Sequence, residues 1–387
     1  MIDPRTPVLV GVGQDEQRVE DLTSAREPIE LLADAARLAD ADTGASRSLL
    51  ATVDTIATVA MVSWPYPDPG ALLARRLGIP DARRTAVSAN GGNSPQLLVN
   101  HFASEILAGA CEVVLIGGAE CLFTRLRARK EPKTWLAWTE DDSPPCPEVI
   151  GDTRPGNSDY EDAHGANAPI LIYPLFETAL RAAAGRTVEE HARRVSELWA
   201  ELNAVAVGNP HAWSRTPRSA EQLRTVGPDN RMVVAPYPKL LCANIEVDQA
   251  AALLLCSYER ARTAGVPEER MVFVHSGADA HDHFWFSERD RLSEAPAVGI
   301  AGRAALAVAG MGLDDVARFD LYSCFPSAVQ LTMGALGLTG PGGGDPRPLT
   351  VTGGLGFAGG PANDYPSHSI ARMAEACRAD PGSVGFV

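Results

Sequence analysis

Apolar residues fall alternately into short unbroken runs and into helical spacings, and their order predicts how the chain is laid out. Pro7 to Val12, ended by Gly13-Gln14, predicts a buried first strand. Pro28 to Ala41 sets Ile29, Leu31, Leu32, Ala35, Ala36 and Leu38 on an amphipathic helical repeat, with Pro28 near the first turn. Next come strand-like Val53 to Met61, helical Pro69 to Leu77, β-rich Arg84 to Ala89 and helical Gln96 to Ala108. Apolar Glu112 to Ile116 follows and is closed by Gly117-Gly118-Ala119-Glu120. This repeated alternation implies a mainly parallel sheet covered on both faces. Residues 121 to about 240 break the rhythm, with Pro and Trp scattered through Ser143 to Pro155 and a long helical stretch from Val188 to Ala206, so they read as an insertion. The alternation resumes with Leu240 to Ser257, which ends in a buried strand, then Met271 to His275 (strand), Ala304 to Gly310 (helix), Phe319 to Tyr322 (strand) and Ser327 to Leu336 (helix). Similar order in the two halves suggests duplication. Gly382 to Val387 reads as a strand whose continuation is missing, which would expose an unpaired edge.

The stretch Leu349 to Pro366 is the most distinctive. Thr350, Val351 and Thr352 read as a strand that stops at Gly353-Gly354, and Gly356, Gly359 and Gly360 let the backbone turn sharply and approach something closely. Pro361 and Pro366 bracket the start of a helix over Ser367 to Cys377, whose apolar positions are Ile370, Met373, Ala374 and Cys377. A strand, a glycine loop and a helix start in series would offer N–H groups to an anion or a polarised carbonyl. A tight connection that binds nothing gives the same pattern.

At 387 residues the chain suits one large duplicated α/β unit or two domains. Its 45% hydrophobic and 6% aromatic content, rich in Ala, Val and Leu, fits buried helices and strands. A net charge of −15 argues against nucleic acid as a partner, so an anionic small ligand would need a local basic patch. Arg125, Arg127, Arg129 and Lys130, close to Trp135 and Trp138, form a candidate for holding a phosphate-bearing ligand. A solvated basic face paired with Glu131 is the plainer alternative. Seven cysteines without a CxxC pair read as free thiols in a reducing compartment. No apolar leader and no membrane-length run are present, so a soluble, cytoplasmic protein with no membrane partner is expected. His281-Asp282-His283-Phe284-Trp285 sets two His at alternate positions without well-spaced further ligands; no metal is expected, and His283 is instead a candidate base on a pocket-lining loop. His368, in the first turn of the last helix, is a second candidate base or a surface His.

Three loops, Ser88-Ala89-Asn90-Gly91-Gly92-Asn93-Ser94, Tyr322-Ser323-Cys324-Phe325 and Gly353 to Pro361, stand in one order with Gly117-Gly118-Ala119-Glu120 and the Cys242 to Leu255 segment. Together they make nearly the whole chain resemble the thiolase superfamily, with the greatest likeness to sterol-carrier-protein-type thiolases and the thiolase-like proteins related to them. The resemblance implies an α/β thiolase fold of two similar halves in a layered αβαβα arrangement. Residues 1–120 with 241–265 would form the N-terminal half, 121–240 an inserted loop domain that grips coenzyme A, and 266–387 a truncated C-terminal half lacking its last strand. It also implies a coenzyme A thioester as ligand or substrate, with no covalently bound cofactor.

In that family a cysteine at a helix start takes the acyl group, a histidine in a Gly-His-Pro loop activates it, and a late cysteine moves protons. Here the nucleophile position falls on Ala89, or on Asn90 if the loop shifts by one. The histidine becomes Gly360, and the late cysteine loop would begin after Val387. None of these replacements can form a stable acyl-enzyme. The resemblance still implies a ligand cavity, in which the Asn90 side chain, the Gly91 and Gly92 N–H groups and the Gly359 loop would bind a thioester carbonyl. Cys324 sits where the family's His-Asp-Cys-Phe loop has a cysteine that is not the usual nucleophile, which favours packing. Tyr322 replaces that loop's histidine and resembles the tyrosine of thiolase-like aldolases; its alternative is a buried phenol with its hydroxyl satisfied. Tyr365, just beyond the glycine loop, is a further candidate. The function implied is formation or cleavage of a carbon–carbon bond next to a CoA thioester in lipid metabolism, as an acyltransferase or an aldolase-type lyase. The alternative is a catalytically silent acyl-CoA-binding or scaffold protein that needs an OB-fold partner. The resemblance also offers a homodimer paired through Arg84 to Ala89, the usual arrangement of thiolases, although some thiolase-like relatives do not pair this way, so the oligomeric state stays open.

Overall fold

The computed structural model describes residues 2–79, 82–131, 135–338 and 346–387. In chain order its elements are β1 (Pro7–Glu16), α1 (Pro28–Asp42), β2 (Thr55–Thr58), α2 (Pro69–Leu77), β3 (Arg84–Ser88), α3 (Ser94–Ala108), β4 (Val113–Cys121), α4 (Leu122–Lys130) and β5 (Val149–Ile150). They continue with α5 (Asp159–Ala163), α6 (Pro169–Ala183), α7 (Val188–Gly208), α8 (Ala220–Arg224), β6 (Met232–Val234), β7 (Tyr237–Pro238), β8 (Asp248–Ser257), α9 (Tyr258–Ala264) and β9 (Val272–Phe273). Last come α10 (Pro296–Ala309), β10 (Val316–Phe319), α11 (Pro326–Leu336), α12 (Tyr365–Ala379) and β11 (Val384–Phe386). Two compact units divide the chain: Met1–Thr153 with Ile245–His275 and Gly360–Val387, and Arg154–Asn244 with Ser276–Gly359.

The first unit is built on a seven-stranded sheet of order β5-β3-β2-β4-β8-β1-β9. The predicted α/β layering is present, but the sheet is mixed rather than mainly parallel. Pairs β5/β3, β3/β2 and β2/β4 are parallel, whereas β8 enters antiparallel between β4 and β1, and β9 is antiparallel to β1. Every residue of β4 and β8 is buried, as expected for central strands covered on both faces. Alternate residues feed two cores. Ile56, Leu115 and Leu254 pack with Ile29, Leu32 and Leu72 of α1 and α2 on one face, and Ala57, Ile116 and Leu253 pack with Leu98, Phe102 and Ile370 of α3 and α12 on the other. Each fully buried side chain of this size contributes about 1.5–3 kcal/mol.

Local chemistry explains the boundaries. Helix α2 starts where Asp68 accepts from the Ala71 N–H and Pro69 fills the first turn, and it stops at Gly78, which is left-handed at φ 67°. Strand β4 runs through Gly117-Gly118, which the sequence pattern reads as its end. Gly118 is there because of a close approach: a Cβ at that position would lie 2.6 Å from Asp364 Oδ1. Strand β1 carries a bulge between Leu9 and Gly11. The Val10 carbonyl accepts from Arg378 Nη2 at 3.0 Å, and the Val12 N–H donates to Asp42 Oδ2 at 3.0 Å. Arg378 and Asp42 are themselves an ion pair at 2.5 Å.

The second unit is mainly helical, with an antiparallel β6–β7 ribbon. Helix α7 opens with a reciprocal cap: Thr187 Oγ1 accepts from the Glu190 N–H while the Glu190 carboxylate accepts from the Thr187 N–H. The strand expected over Thr350 to Thr352 does not form. Asp320 Oδ2 accepts from the Val351 and Thr352 N–H groups at 2.8 and 3.0 Å and from both threonine hydroxyls, so one carboxylate takes the place of a ladder partner. The strand expected over Phe319 to Tyr322 lies earlier, as β10. The glycine loop does approach something closely, namely α7. Gly353 has φ 100°, and a Cβ there would lie 2.5 Å from both the N and the Cα of Ala206. No helix among the described residues is long and apolar enough to cross a membrane.

Candidate functional site

In the first unit, parallel strands β2 and β3 end side by side and deliver Ala60 and the Asn90 to Asn93 loop to one rim of the sheet, where open α/β sheets place ligands. Asn363, just before α12, joins them. Its Nδ2 donates to the Ala60 carbonyl at 2.9 Å and to Asn90 Oδ1 at 3.0 Å, while its Oδ1 accepts from the Gly91 N–H at 3.1 Å. The preceding Ala362 has φ 42°, a left-handed conformation that costs a non-glycine residue roughly 1–2 kcal/mol. Asn90 is exposed, Gly91 and Gly92 are partly exposed, and Ala89 and Gly360 are buried. The expected Gly91 donor is therefore spent on Asn363. The Asn90 Nδ2 and the Gly92 N–H have no protein acceptor among the described residues.

Beneath this rim lies a buried polar layer. Ser367 Oγ donates to Asp364 Oδ1 at 2.6 Å, His368 Nδ1 lies 2.8 Å from Gln14 Oε1, and His368 Nε2 lies 3.8 Å from Asp364 Oδ2. Glu120 accepts from the Val62 and Ser63 N–H groups at 2.6 and 2.7 Å. Burial raises the Asp364 carboxyl well above the ordinary range, against the Ser367 hydroxyl, and the nearby Glu120 adds to the rise; burial raises Glu120 too. His368 is thus buried rather than a surface residue, and Tyr365 is only 1% exposed. Because burial raises the Asp364 carboxyl in the folded state, its contribution is complete below the unfolded carboxyl range and is lost as pH rises through the raised value. The Asp364→Asn variant, neutral at every pH, is expected to raise Tm at pH 7 by roughly 2–4 °C, the worth of about 1 kcal/mol in a domain of this size. The gain should vanish below pH 4 in a Tm–pH series; a variant less stable than wild type at pH 7 contradicts this account.

Two of the four basic candidates hold the unit's own backbone. Arg125 donates to the Val62 and Ser63 carbonyls, and Arg127 to those of Val19 and Glu20, at 2.7 and 3.3 Å for the latter pair. Arg129 and Lys130 are exposed at the C-terminal end of α4, where cations also suit the helix dipole. Trp138 is buried and packs edge-on to Trp64 at 5.2 Å, whereas Trp135 is exposed.

In the second unit, Tyr322 is half-buried beside Cys324, and Cys324 shares a side-chain hydrogen bond with Tyr173. Burial pushes the Cys324 thiol up to about 12, so it carries no thiolate at neutral pH and packs. Burial, and then Cys324, raise the Tyr322 phenol above its ordinary value, so it stays protonated at neutral pH. Tyr173 and Tyr237 stack on Phe325 with centroids 4.8 and 5.4 Å away. Glu177 anchors this group: its carboxylate accepts from His191 Nε2 at 2.6 Å, Gln330 Nε2 at 2.7 Å and Tyr237 OH at 2.7 Å. Gly359 is buried with φ 114°. His283 is exposed, and its carbonyl accepts from Arg289 Nε. Its neighbour Asp282 accepts from the Ala297 N–H at the start of α10, so the His281 to Trp285 loop anchors a helix. No group of three or more potential metal ligands occurs among the described residues.

Sequence patterns missed Asn363 and Glu177. An Asn in a Gly-Pro loop reads as a turn residue, and a lone Glu in a helix reads as solvated surface. Neither leaves a distinguishing signal.

No protein-family model matches the chain, and no curated protein matches it. Solved structures do. A monomeric SCP2-thiolase-like protein type 1 from Mycobacterium smegmatis is 37% identical, with a TM-score of 0.82, over 100% of this chain and 74% of that one. The Ltp2-ChsH2(DUF35) aldolase, at 21% identity and TM-score 0.70 over 98% and 93%, shares the fold. So does human mitochondrial 3-ketoacyl-CoA thiolase in complex with CoA, at 18% and 0.65 over 99% and 94%. The glycine-lined rim after β3, the mixed sheet layered between helices and an identity of 37% over the full chain converge on one assignment: the protein belongs to the thiolase superfamily, among its SCP2-thiolase-like members.

Proposed function

We propose that this protein binds an acyl-CoA thioester and makes or breaks the carbon–carbon bond beside its carbonyl without a covalent acyl-enzyme. The observation that carries this reading is the Asn90 to Gly92 rim, which keeps hydrogen-bond donors in the Asn90 amide and the Gly92 N–H and, from Ala89 to Gly92, contains no cysteine to take an acyl group. Cys324, protonated and buried, offers no substitute nucleophile. Chemistry that needs no acyl-enzyme fits best: a β-hydroxyacyl-CoA gives its hydroxyl proton to solvent water, the carbon–carbon bond breaks to release a ketone or aldehyde, and the electron pair forms an enolate that takes a proton from a donor which water then reprotonates. A phenol held protonated suits the last step, so Tyr322 is assigned as proton donor. Arg129 and Lys130, whose charges are not spent on backbone carbonyls, are assigned to the phosphates of coenzyme A. The likeness to the two-component Ltp2-ChsH2(DUF35) aldolase supports the lyase form of this chemistry and leaves room for a partner chain.

Tyr322→Phe is expected to lower ketone or aldehyde release by about 10²–10⁴-fold, the usual range for one acid–base group, while acetyl-CoA still raises Tm. Full activity in that variant makes Tyr322 structural. No Tm shift with millimolar acetyl-CoA or coenzyme A removes acyl-CoA binding altogether. Ala89 and Gly360 favour a second reading, a catalytically silent acyl-CoA-binding or scaffold protein; it predicts the Tm shift without any product.

A further inference from the structure

We infer that Asn363 is a positioning residue that locks Asn90 with its amide donors facing outward, so that the ligand atom received at this rim is a hydrogen-bond acceptor, a thioester or enolate oxygen. The inference rests on the acyl-CoA reading above and names the atom that the rim takes.

The orientation follows from counting donors and acceptors. The Gly91 N–H can only donate, so the Asn363 atom facing it at 3.1 Å is the carboxamide oxygen. The Ala60 carbonyl can only accept, so the Asn363 atom facing it at 2.9 Å is the nitrogen. Both constraints give one orientation. The second Nδ2 hydrogen then points at Asn90, whose facing atom at 3.0 Å must be its oxygen. With that oxygen engaged, Asn90 presents its NH₂ group away from Asn363, and among the described residues no protein atom accepts from it. Asn90 is exposed, so the two donors are accessible. Ala362 is kept in an unfavourable left-handed conformation immediately before Asn363, which indicates that the three bonds outweigh the strain of delivering the side chain there.

An outward donor pair discriminates between ligands. Acetyl-CoA carries a carbonyl oxygen at the thioester, whereas S-ethyl-CoA, a thioether of similar size, does not. The wild-type protein is expected to bind acetyl-CoA about tenfold more tightly than S-ethyl-CoA by calorimetry. In Asn363→Asp the carboxylate can only accept, so Asn90 should turn its NH₂ inward, present its oxygen outward and lose the preference. Asn90→Asp, a change at an exposed position that retains the acceptor for Asn363 and removes the donors, should lose it as well. Equal affinity of wild-type protein for the two ligands, or an undiminished preference in both variants, overturns the inference while leaving acyl-CoA binding intact. A measurement without ligand keeps the two readings apart: Asn363→Ala should speed hydrogen exchange of the Gly91 amide by about tenfold or more. Unchanged exchange means that the clamp is absent, whatever the protein binds.

Discussion

Glu177→Ala is expected to destabilise the second unit by about 3–5 kcal/mol, the usual cost of removing one partner from a buried charged network. The carboxylate is fully buried and is the acceptor for the His191 ring, the Gln330 amide and the Tyr237 hydroxyl, three donors from three different elements. Alanine leaves all of them without it and opens a cavity in α6. In Glu177→Gln one oxygen remains, and the Tyr237 hydroxyl, 2.9 Å from Ser327 Oγ, can turn to donate there. That variant should lose only about 1–3 kcal/mol. Urea midpoints with unchanged m-values check both figures; an alanine variant within 1 kcal/mol of wild type would remove the network from the account of stability. The effect should reach the site residues, because Tyr173 and Glu177 are four residues apart on one face of α6 and Tyr173 bonds Cys324. Loosening α6 should therefore lift the protection that keeps Cys324 inert.

Gly353→Ala is the second large effect. Any Cβ at this position meets the α7 backbone at Ala206, which cannot rotate away as a side chain could, and φ 100° is itself unfavourable for alanine. Strain and overpacking together are expected to cost about 2–5 kcal/mol. Gly156, with nothing near the space a Cβ would fill and no positive φ, is the control, and Gly156→Ala should stay within about 0.5 kcal/mol of wild type. Thermal unfolding of the pair separates the two cases. If both lie close to wild type, the glycine loop is not packed on α7.

Helices α1, α2, α3, α7, α11 and α12 and the central strands were legible because their signals are local, whereas α4, α6 and α9 were not read. Pro69 and Gly78 mark α2 at both ends, and the Thr187–Glu190 pair opens α7 where the pattern begins. What misled was contact with distant residues. Thr350 to Thr352 have the composition of a strand, yet the partner of their N–H groups is the Asp320 side chain thirty or so residues earlier, which no periodicity reveals. Gly117-Gly118 look like a strand end but admit neighbouring atoms into a strand that continues. The direction of β8 was hidden for the same reason, since nothing within Asp248 to Ser257 says which way it joins the sheet. At the candidate site, Asn90 and the glycines could be read from the order of the loops, whereas Asn363 acquires its meaning only from the three groups it touches.

The Arg378–Asp42 pair on β1 has a consequence beyond the stability of the first unit. Past the bulge at Val10, the outer side of that strand would present bare amide and carbonyl groups, the kind of rim on which another chain can add itself. A guanidinium and a carboxylate occupy two of those groups, and a second polypeptide would have to displace an ion pair to reach them. Strand addition from a neighbouring molecule is thereby disfavoured along this margin, a safeguard against fibrous self-association that comes from two charged side chains and not from an extra strand.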